Sequence, residues 1–73
     1  MADIKYEIIE NLGVLGTSSN GWQKEINLVS WNERAAKYDI RDWNPDHTRM
    51  SKGITLSKEE AKLLSEILKE EFK

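Results

Sequence analysis

The sequence predicts an α+β fold in which four β-strands are followed by one C-terminal helix. Apolar and polar residues alternate over short segments between residues 4 and 56, as they do in half-buried strands. Turn dipeptides separate these segments, with Asn-Gly at residues 20–21 and Asn-Pro at residues 44–45. A capping box then begins at Ser57 and precedes apolar residues at helical spacing. The sequence contains no linker and no low-complexity segment, so we interpret it as one domain spanning residues 1–73.

The first strand is predicted over residues 4–15, where β-branched and aromatic residues are frequent. Four residues of one parity are expected to face the core: Tyr6, Ile8, Leu12 and Val14. Ile9 is out of phase with them, which indicates either a β-bulge or a second covered face. The loop at residues 16–21 then leads to the second strand.

The second strand is predicted over residues 22–31. Ile26 and Leu28 mark its core side. Three residues of the opposite parity are expected to point outward: Asn27, Val29 and Trp31. The pattern leaves the facing of Trp22 and Lys24 open, because a bulge or a strong twist would turn both toward the outward surface.

The third strand, residues 37–43, has two faces of different character. Tyr38 and Ile40 lie on one face. The other face combines charged and aromatic side chains: Lys37, Asp39, Arg41 and Trp43. A Trp exposed in line with Arg and Lys suits a flat, charged partner such as a nucleic-acid strand. Asp39 lies between two cations and is expected to orient them.

The C-terminal helix is predicted to begin after Ser57 and to extend to about Phe72. Ser57 and Glu60 are expected to form the two reciprocal hydrogen bonds of a capping box. A short fourth strand precedes the helix and points two apolar side chains inward: Ile54 and Leu56. One apolar stripe follows the helical period: Ala61, Leu64, Ile67, Leu68 and Phe72. Leu63 widens this stripe, and it faces either a helix of a second subunit or the margin of the sheet.

Composition narrows the classes of function. The chain has no Cys, so it cannot form disulfides, and its one His, His47, lies in a polar loop that nothing in the sequence holds rigid. We therefore expect no enzymatic activity, no metal and no cofactor. No apolar run approaches the roughly 20 residues of a membrane helix, and residues 1–7 lack the pattern of a signal peptide. We expect a cytoplasmic protein, and association with the nucleoid is left open.

The net charge of −2 argues mildly against a nucleic-acid partner. However, Lys and Arg outnumber Asp and Glu over residues 22–56, and all three Trp residues lie in that range. Because local fields affect binding more than the total charge does, a nucleic-acid partner remains compatible with the sequence.

Several segments carry a recognisable pattern: Tyr38-Asp39-Ile40-Arg41-Asp42-Trp43, Pro45-Asp46 and Lys52-Gly53-Ile54-Thr55-Leu56-Ser57. Two further segments add to it: Gly21-Trp22-Gln23-Lys24-Glu25 and Val29-Ser30-Trp31-Asn32. In this order, and followed by a helix, they resemble the positive-cofactor-four family of transcriptional coactivators, in particular its small bacterial YdbC-like members. The resemblance covers nearly the whole chain.

The resemblance implies a curved antiparallel sheet followed by a helix, assembled as a two-fold homodimer. It also implies sequence-independent binding of single-stranded DNA through aromatic stacking and contacts to phosphate. The implied binding residues are Lys24, Trp31, Arg34, Lys37, Arg41 and Trp43. The candidate residues of the dimer interface are Leu63, Leu64, Ile67 and Leu68.

Our leading hypothesis is a single-stranded DNA-binding protein that acts in transcription regulation, replication or repair. The full candidate set for nucleic-acid binding is Trp22, Lys24, Asn27, Trp31, Arg34, Lys37, Arg41, Trp43 and Lys52. Two alternatives are docking of a protein partner through the Trp-bearing face and binding of single-stranded RNA. The residues alone also leave Trp31 and Trp43 open as core residues, because Trp is usually buried.

Overall fold

A computed structural model describes residues 5–73. Within this range, the chain forms strands and a helix with the following bounds: β1 Tyr6–Thr17, β2 Gln23–Trp31, β3 Lys37–Trp43, β4 Ile54–Leu56 and α1 Lys58–Glu71. The strands form one antiparallel sheet in the order β1-β2-β3-β4. The predicted succession of four strands and a C-terminal helix is therefore confirmed. Ile4, which the sequence placed in the first strand, lies outside the described residues.

The central strands β2 and β3 pair in an unbroken register, from Gln23 opposite Trp43 to Val29 opposite Lys37. Directly opposite residues point to the same side of a sheet, so the two strands share two faces. The polar face carries Gln23, Glu25, Asn27, Val29, Trp31, Lys37, Asp39, Arg41 and Trp43. The helix face carries Ile26, Leu28, Tyr38 and Ile40. The helix α1 packs on this second face, so the division between the two faces agrees with the predicted parity.

The edge strand β1 is irregular, because register shifts interrupt its pairing with β2. The additional residues at these shifts are Ile9, Leu12 and Leu15. Of the two interpretations of Ile9, a bulge or a second covered face, the bulge is confirmed. The shared side predicted for four residues of β1 is wrong, because each bulge resets the alternation of the strand. Leu12 lines a groove beneath α1, on the predicted core side. The three residues predicted to share its side pair instead with polar-face residues: Tyr6, Ile8 and Val14.

The short strand β4 approaches β3 closely at Gly53. A Cβ atom at Gly53 would collide with the Ile40 carbonyl oxygen and with the Arg41 side chain, which explains why a glycine stands there. Ile54 pairs opposite Ile40 and lies on the predicted side of the sheet. Its inward position does not bury it, since Ile54 is 56% exposed whereas Leu56 is half-buried.

The helix α1 begins with the predicted capping box. The Ser57 hydroxyl accepts a hydrogen bond from the Glu60 amide at 3.1 Å, and the Glu60 carboxylate accepts one from the Ser57 amide at 2.8 Å. Within residues 5–73, no residue of α1 is buried. Three apolar residues of α1 and its apolar C-cap residue are exposed: Leu63, Ile67, Leu68 and Phe72. Within residues 5–73, no helix has the length and apolar character needed to cross a membrane.

Candidate nucleic-acid interface

Most of the polar face is buried, although the sequence predicted an open surface. Five of its residues are at most 2% exposed: Glu25, Asn27, Val29, Asp39 and Trp43. Contacts come from the bulged strand β1 and from residues 44–53, which we call the covering loop. The outward exposure predicted for Asn27, Val29 and Trp43 is therefore wrong. Strand parity identifies a side of the sheet, but it does not reveal which segments pack on that side.

Aromatic rings pack together over the polar face. The Trp43 ring centroid lies 5.6 Å from that of Tyr6 and 5.5 Å from that of His47, and Tyr6 lies 5.7 Å from Trp31. The Nε1–H groups of Trp31 and Trp43 are buried without an acceptor among the described residues. Trp43 thus belongs to a small aromatic core and offers no ring face to a base in this conformation. Trp22 and Trp31 are half-buried and retain accessible surface.

A buried carboxylate, Glu25, joins the covering loop to the sheet. His47 Nε2 lies 3.0 and 2.9 Å from its two oxygens, and the side-chain amides of Asn11 and Asn27 donate to it at 3.1 and 3.3 Å. These contacts offset the cost of burying a carboxylate. The sequence analysis missed this network. The signal available in the sequence was the parity of Glu25, which places it on the same face of β2 as Asn27.

Arg41 is turned into the protein. Its guanidinium donates to both Asp39 carboxylate oxygens, at 2.7 Å from Nε and 2.6 Å from Nη2. Its Cζ atom lies 4.6 Å from the centroid of the Trp31 ring, and Nη1 donates to Met50 Sδ at 3.3 Å. The Arg41 side chain is 13% exposed and that of Asp39 is 0% exposed. The expected contact between Asp39 and Arg41 is present, but the cation does not project from the surface.

The covering loop is anchored by hydrogen bonds, contrary to the expectation that nothing holds it. The Ser51 amide donates to the Asp42 carbonyl oxygen at 2.9 Å, and the Ser51 hydroxyl accepts from the Asp42 amide at 3.1 Å. The Asp46 carboxylate accepts from the Thr48 hydroxyl at 2.6 Å and from the Thr48 amide at 3.1 Å. These two bonds lower the pKa of Asp46. The loop is therefore a fixed cover for the polar face.

The exposed candidate cations lie on both sides of the sheet. Four candidates are exposed: Lys24, Arg34, Lys37 and Lys52. Lys24 pairs opposite Asp42 and lies on the side of the sheet that bears α1, because β2 keeps its register with β3 without a bulge. Arg34 closes a tight turn, in which its amide donates to the Trp31 carbonyl oxygen at 2.9 Å. The structure therefore does not gather the predicted cations on one face.

Lys37 lies at the start of β3, near the N-terminus of α1. The hydrogen bond that the Glu60 carboxylate accepts from the Ser57 amide is the main cause of a lowered pKa for Glu60. The Ser57 side chain and the Lys37 charge lower this pKa further. Lys37 thus remains exposed at the margin of the polar face, beside an acidic group.

The antiparallel sheet with one helix packed on it places the chain among small α+β domains of strand–strand–strand–strand–helix order. A family model described as Transcriptional Coactivator p15 (PC4) matches residues 18–67. A protein of Treponema pallidum (strain Nichols), described as uncharacterized, is 48% identical over 66 residues, which cover 90% of this chain and 78% of that protein. The chain therefore belongs to the PC4 family, which confirms the resemblance to the positive-cofactor-four family, whereas the likeness to its YdbC-like members stays a prediction.

Proposed function

We propose that this protein binds single-stranded DNA, largely independently of base sequence. The observation that carries the proposal is the family match over residues 18–67, because the PC4 family is known for single-stranded DNA binding and transcription coactivation. The matched range includes β2, β3, β4 and every cation of the candidate set.

Exposed cations supply the electrostatic part of the proposed interaction. The four residues concerned are Lys24, Arg34, Lys37 and Lys52. A phosphate contact at these positions needs no repacking of the protein. Because the net charge of the chain is −2, attraction depends on these local charges, and affinity is expected to fall steeply as salt increases.

Stacking on Trp supplies the part that favours single strands, since a duplex hides its base faces. Each stacked base contributes about 1–3 kcal/mol and any base is tolerated. Trp22, just before β2, and Trp31, at its end, retain accessible surface. Trp43 and Asn27 are not part of the proposed interface, because both are 0% exposed.

A titration with oligo-dT tests the proposal, with intrinsic Trp fluorescence as the readout at low and high salt. We expect quenching and an affinity that falls as salt increases. Lys52→Gln should weaken binding and reduce the magnitude of the slope of log K against log salt by about 0.7, the value for one phosphate contact with a single strand. Lys69→Gln, on α1 and outside the candidate set, is the matched control and should leave this slope unchanged.

A wild-type protein whose fluorescence does not respond to oligo-dT at low salt would contradict the proposal. Docking of a protein partner through the surface that bears Trp22 and Trp31 would then be the favoured function. A parallel titration with oligo-rU measures any preference between DNA and RNA, and equal affinities would extend the proposed ligand to single-stranded RNA.

We also propose that two copies associate through α1 as a two-fold homodimer. Leu63, Ile67 and Phe72 are 59%, 65% and 79% exposed. Four further apolar residues line a groove between the sheet and α1: Leu12, Ile26, Tyr38 and Ala61. An exposed apolar surface of this kind is typical of an interface. Sedimentation at micromolar concentration tests the proposal, and a stable monomer would contradict it.

A further inference from the structure

The Arg41 guanidinium is largely occupied inside the protein. Its Nε and Nη2 atoms donate to Asp39, and Nη1 lies 3.3 Å from Met50 Sδ and 3.5 Å from the Ser51 carbonyl oxygen. Asp39 also accepts from the Thr55 hydroxyl at 3.3 Å. A guanidinium has five N–H donors, so few remain for a phosphate. The Asp39 charge also cancels much of the field that would attract one.

The same contacts hold Arg41 against Trp31. The guanidinium carbon lies 4.6 Å from the Trp31 ring centroid. Tyr6 contacts the same ring, with 5.7 Å between centroids and an angle of 44° between the planes. Trp31 is therefore held in one orientation while part of its surface stays accessible. A ring that is already oriented loses less conformational freedom when it contacts a ligand.

We propose that Asp39 and Arg41 are positioning residues for Trp31 and that Arg41 makes no contact with phosphate. This role rests on the proposed binding of single-stranded DNA. It divides the interface into exposed cations, which carry the salt dependence, and an indole held in place by a neutralised ion pair. Arg41 is therefore no longer a candidate for phosphate binding, and it contributes to DNA binding by holding Trp31 in one orientation.

Arg41→Lys and Arg41→Gln distinguish positioning from phosphate binding. Lysine keeps the charge, but it lacks the planar fork that binds Asp39 at two points and stacks on an indole. We expect both variants to weaken oligo-dT binding by a similar factor, about tenfold, which lies within the range for one stacked base. We expect both to keep the wild-type slope of log K against log salt.

The opposite pattern would overturn the inference. If Arg41 binds phosphate, Arg41→Gln reduces the magnitude of the salt slope by about 0.7 and Arg41→Lys restores it. Lys52→Gln provides the reference for a lowered slope in the same titration. Near-wild-type affinity in both Arg41 variants would also overturn the inference, because Trp31 would then need no positioning.

A double variant guards against simple unfolding. Loss of Arg41 alone leaves the buried Asp39 carboxylate without its counter-charge. Asp39→Asn combined with Arg41→Gln removes both charges, so that no carboxylate is left buried without a counter-charge. We expect this variant to keep the wild-type far-ultraviolet circular dichroism, and to show the weakened binding and the unchanged salt slope.

Near-ultraviolet circular dichroism of the unliganded protein gives a readout that needs no DNA. The double variant should lose the part of the Trp signal that Trp31→Phe also removes. An unchanged signal would overturn the positioning role even where DNA binds. If the signal is lost but the wild-type protein binds no oligo-dT, the hold of Arg41 on Trp31 is supported, whereas the proposed function and the binding role of this pair both fail.

Discussion

The polar face of the sheet is more buried than its apolar helix face. The polar face carries a carboxylate, Glu25, that is 2% exposed. The helix side carries Ile54 at 56% exposure, and the outer residues of α1 are exposed as well. Burial of a face therefore depends on which segments of the chain pack over it, and not on how polar its residues are. The chain closes its polar face with β1 and the covering loop, whereas α1 leaves much apolar surface uncovered.

The polar face tolerates burial because its charged groups have partners. The Glu25 carboxylate is hydrogen-bonded to the side chains of His47, Asn11 and Asn27. The Asp39 carboxylate accepts hydrogen bonds from the Arg41 guanidinium. Buried polar groups without such partners would be costly. The helix side has no equivalent cover within residues 5–73, and this contrast is the physical reason for proposing a second copy there.

Trp43→Ala tests the closed polar face and has the largest expected effect. Truncating a buried Trp costs about 3–5 kcal/mol, a large share of the stability of a domain this size. Urea unfolding followed by far-ultraviolet circular dichroism measures the loss. Trp22→Ala is the matched control at a half-buried position and should cost less. Equal costs would show that Trp43 is not a core residue, and Trp43→Phe gives a milder comparison if the alanine variant does not fold.

His47→Ala tests the link between the covering loop and the sheet. The Glu25 carboxylate loses a donor while it stays buried, so we expect a cost of about 1–3 kcal/mol. His47→Gln is the matched control, because its amide retains a donor and both substitutions meet the same positive backbone φ of 60°. Thermal unfolding of the two variants decides the point. A glutamine variant no more stable than the alanine variant would count against the hydrogen bond.

Ile67→Ser tests the uncovered side of the molecule. Ile67 is 65% exposed, so at high dilution the free energy of unfolding should change by no more than about 0.5 kcal/mol. In a homodimer, stability rises with protein concentration, and the substitution should weaken that dependence. Unfolding midpoints at several concentrations measure both effects. A large loss at high dilution would mean that the single chain already buries Ile67.

Acidification gives the smallest expected effect and tests the start of α1. The Ser57 hydrogen bonds lower the folded pKa of Glu60 from its ordinary value of 4.5. The resulting stabilisation is present above that value and is lost as pH falls through the lowered pKa. Glu60→Gln keeps an acceptor for the Ser57 amide but removes this titration, so its unfolding free energy should fall less on acidification. Urea unfolding at neutral pH and below pH 4.5 measures the difference, and equal losses would contradict the assignment. Asp46, whose pKa is also lowered, titrates in both proteins.

Interactions between near neighbours in the chain could be predicted from the sequence. The Ser57–Glu60 capping box, the succession of four strands and a helix, and the two faces of β2 and β3 all depend on residues a few positions apart. A bulge was one of the two interpretations of Ile9. The family also follows from the sequence, since Lys-Gly-Ile-Thr-Leu-Ser and the segment ending at Trp43 are contiguous patterns.

Only the tertiary structure decided which predicted site residues are accessible. Trp43 contacts Tyr6, which lies in a different strand, and Arg41 is held by the covering loop as well as by Asp39. Tyr6 also reaches His47 across 41 residues of sequence. Periodicity reports the direction of a side chain relative to its own strand, whereas burial depends on the segments that the folded chain brings over it.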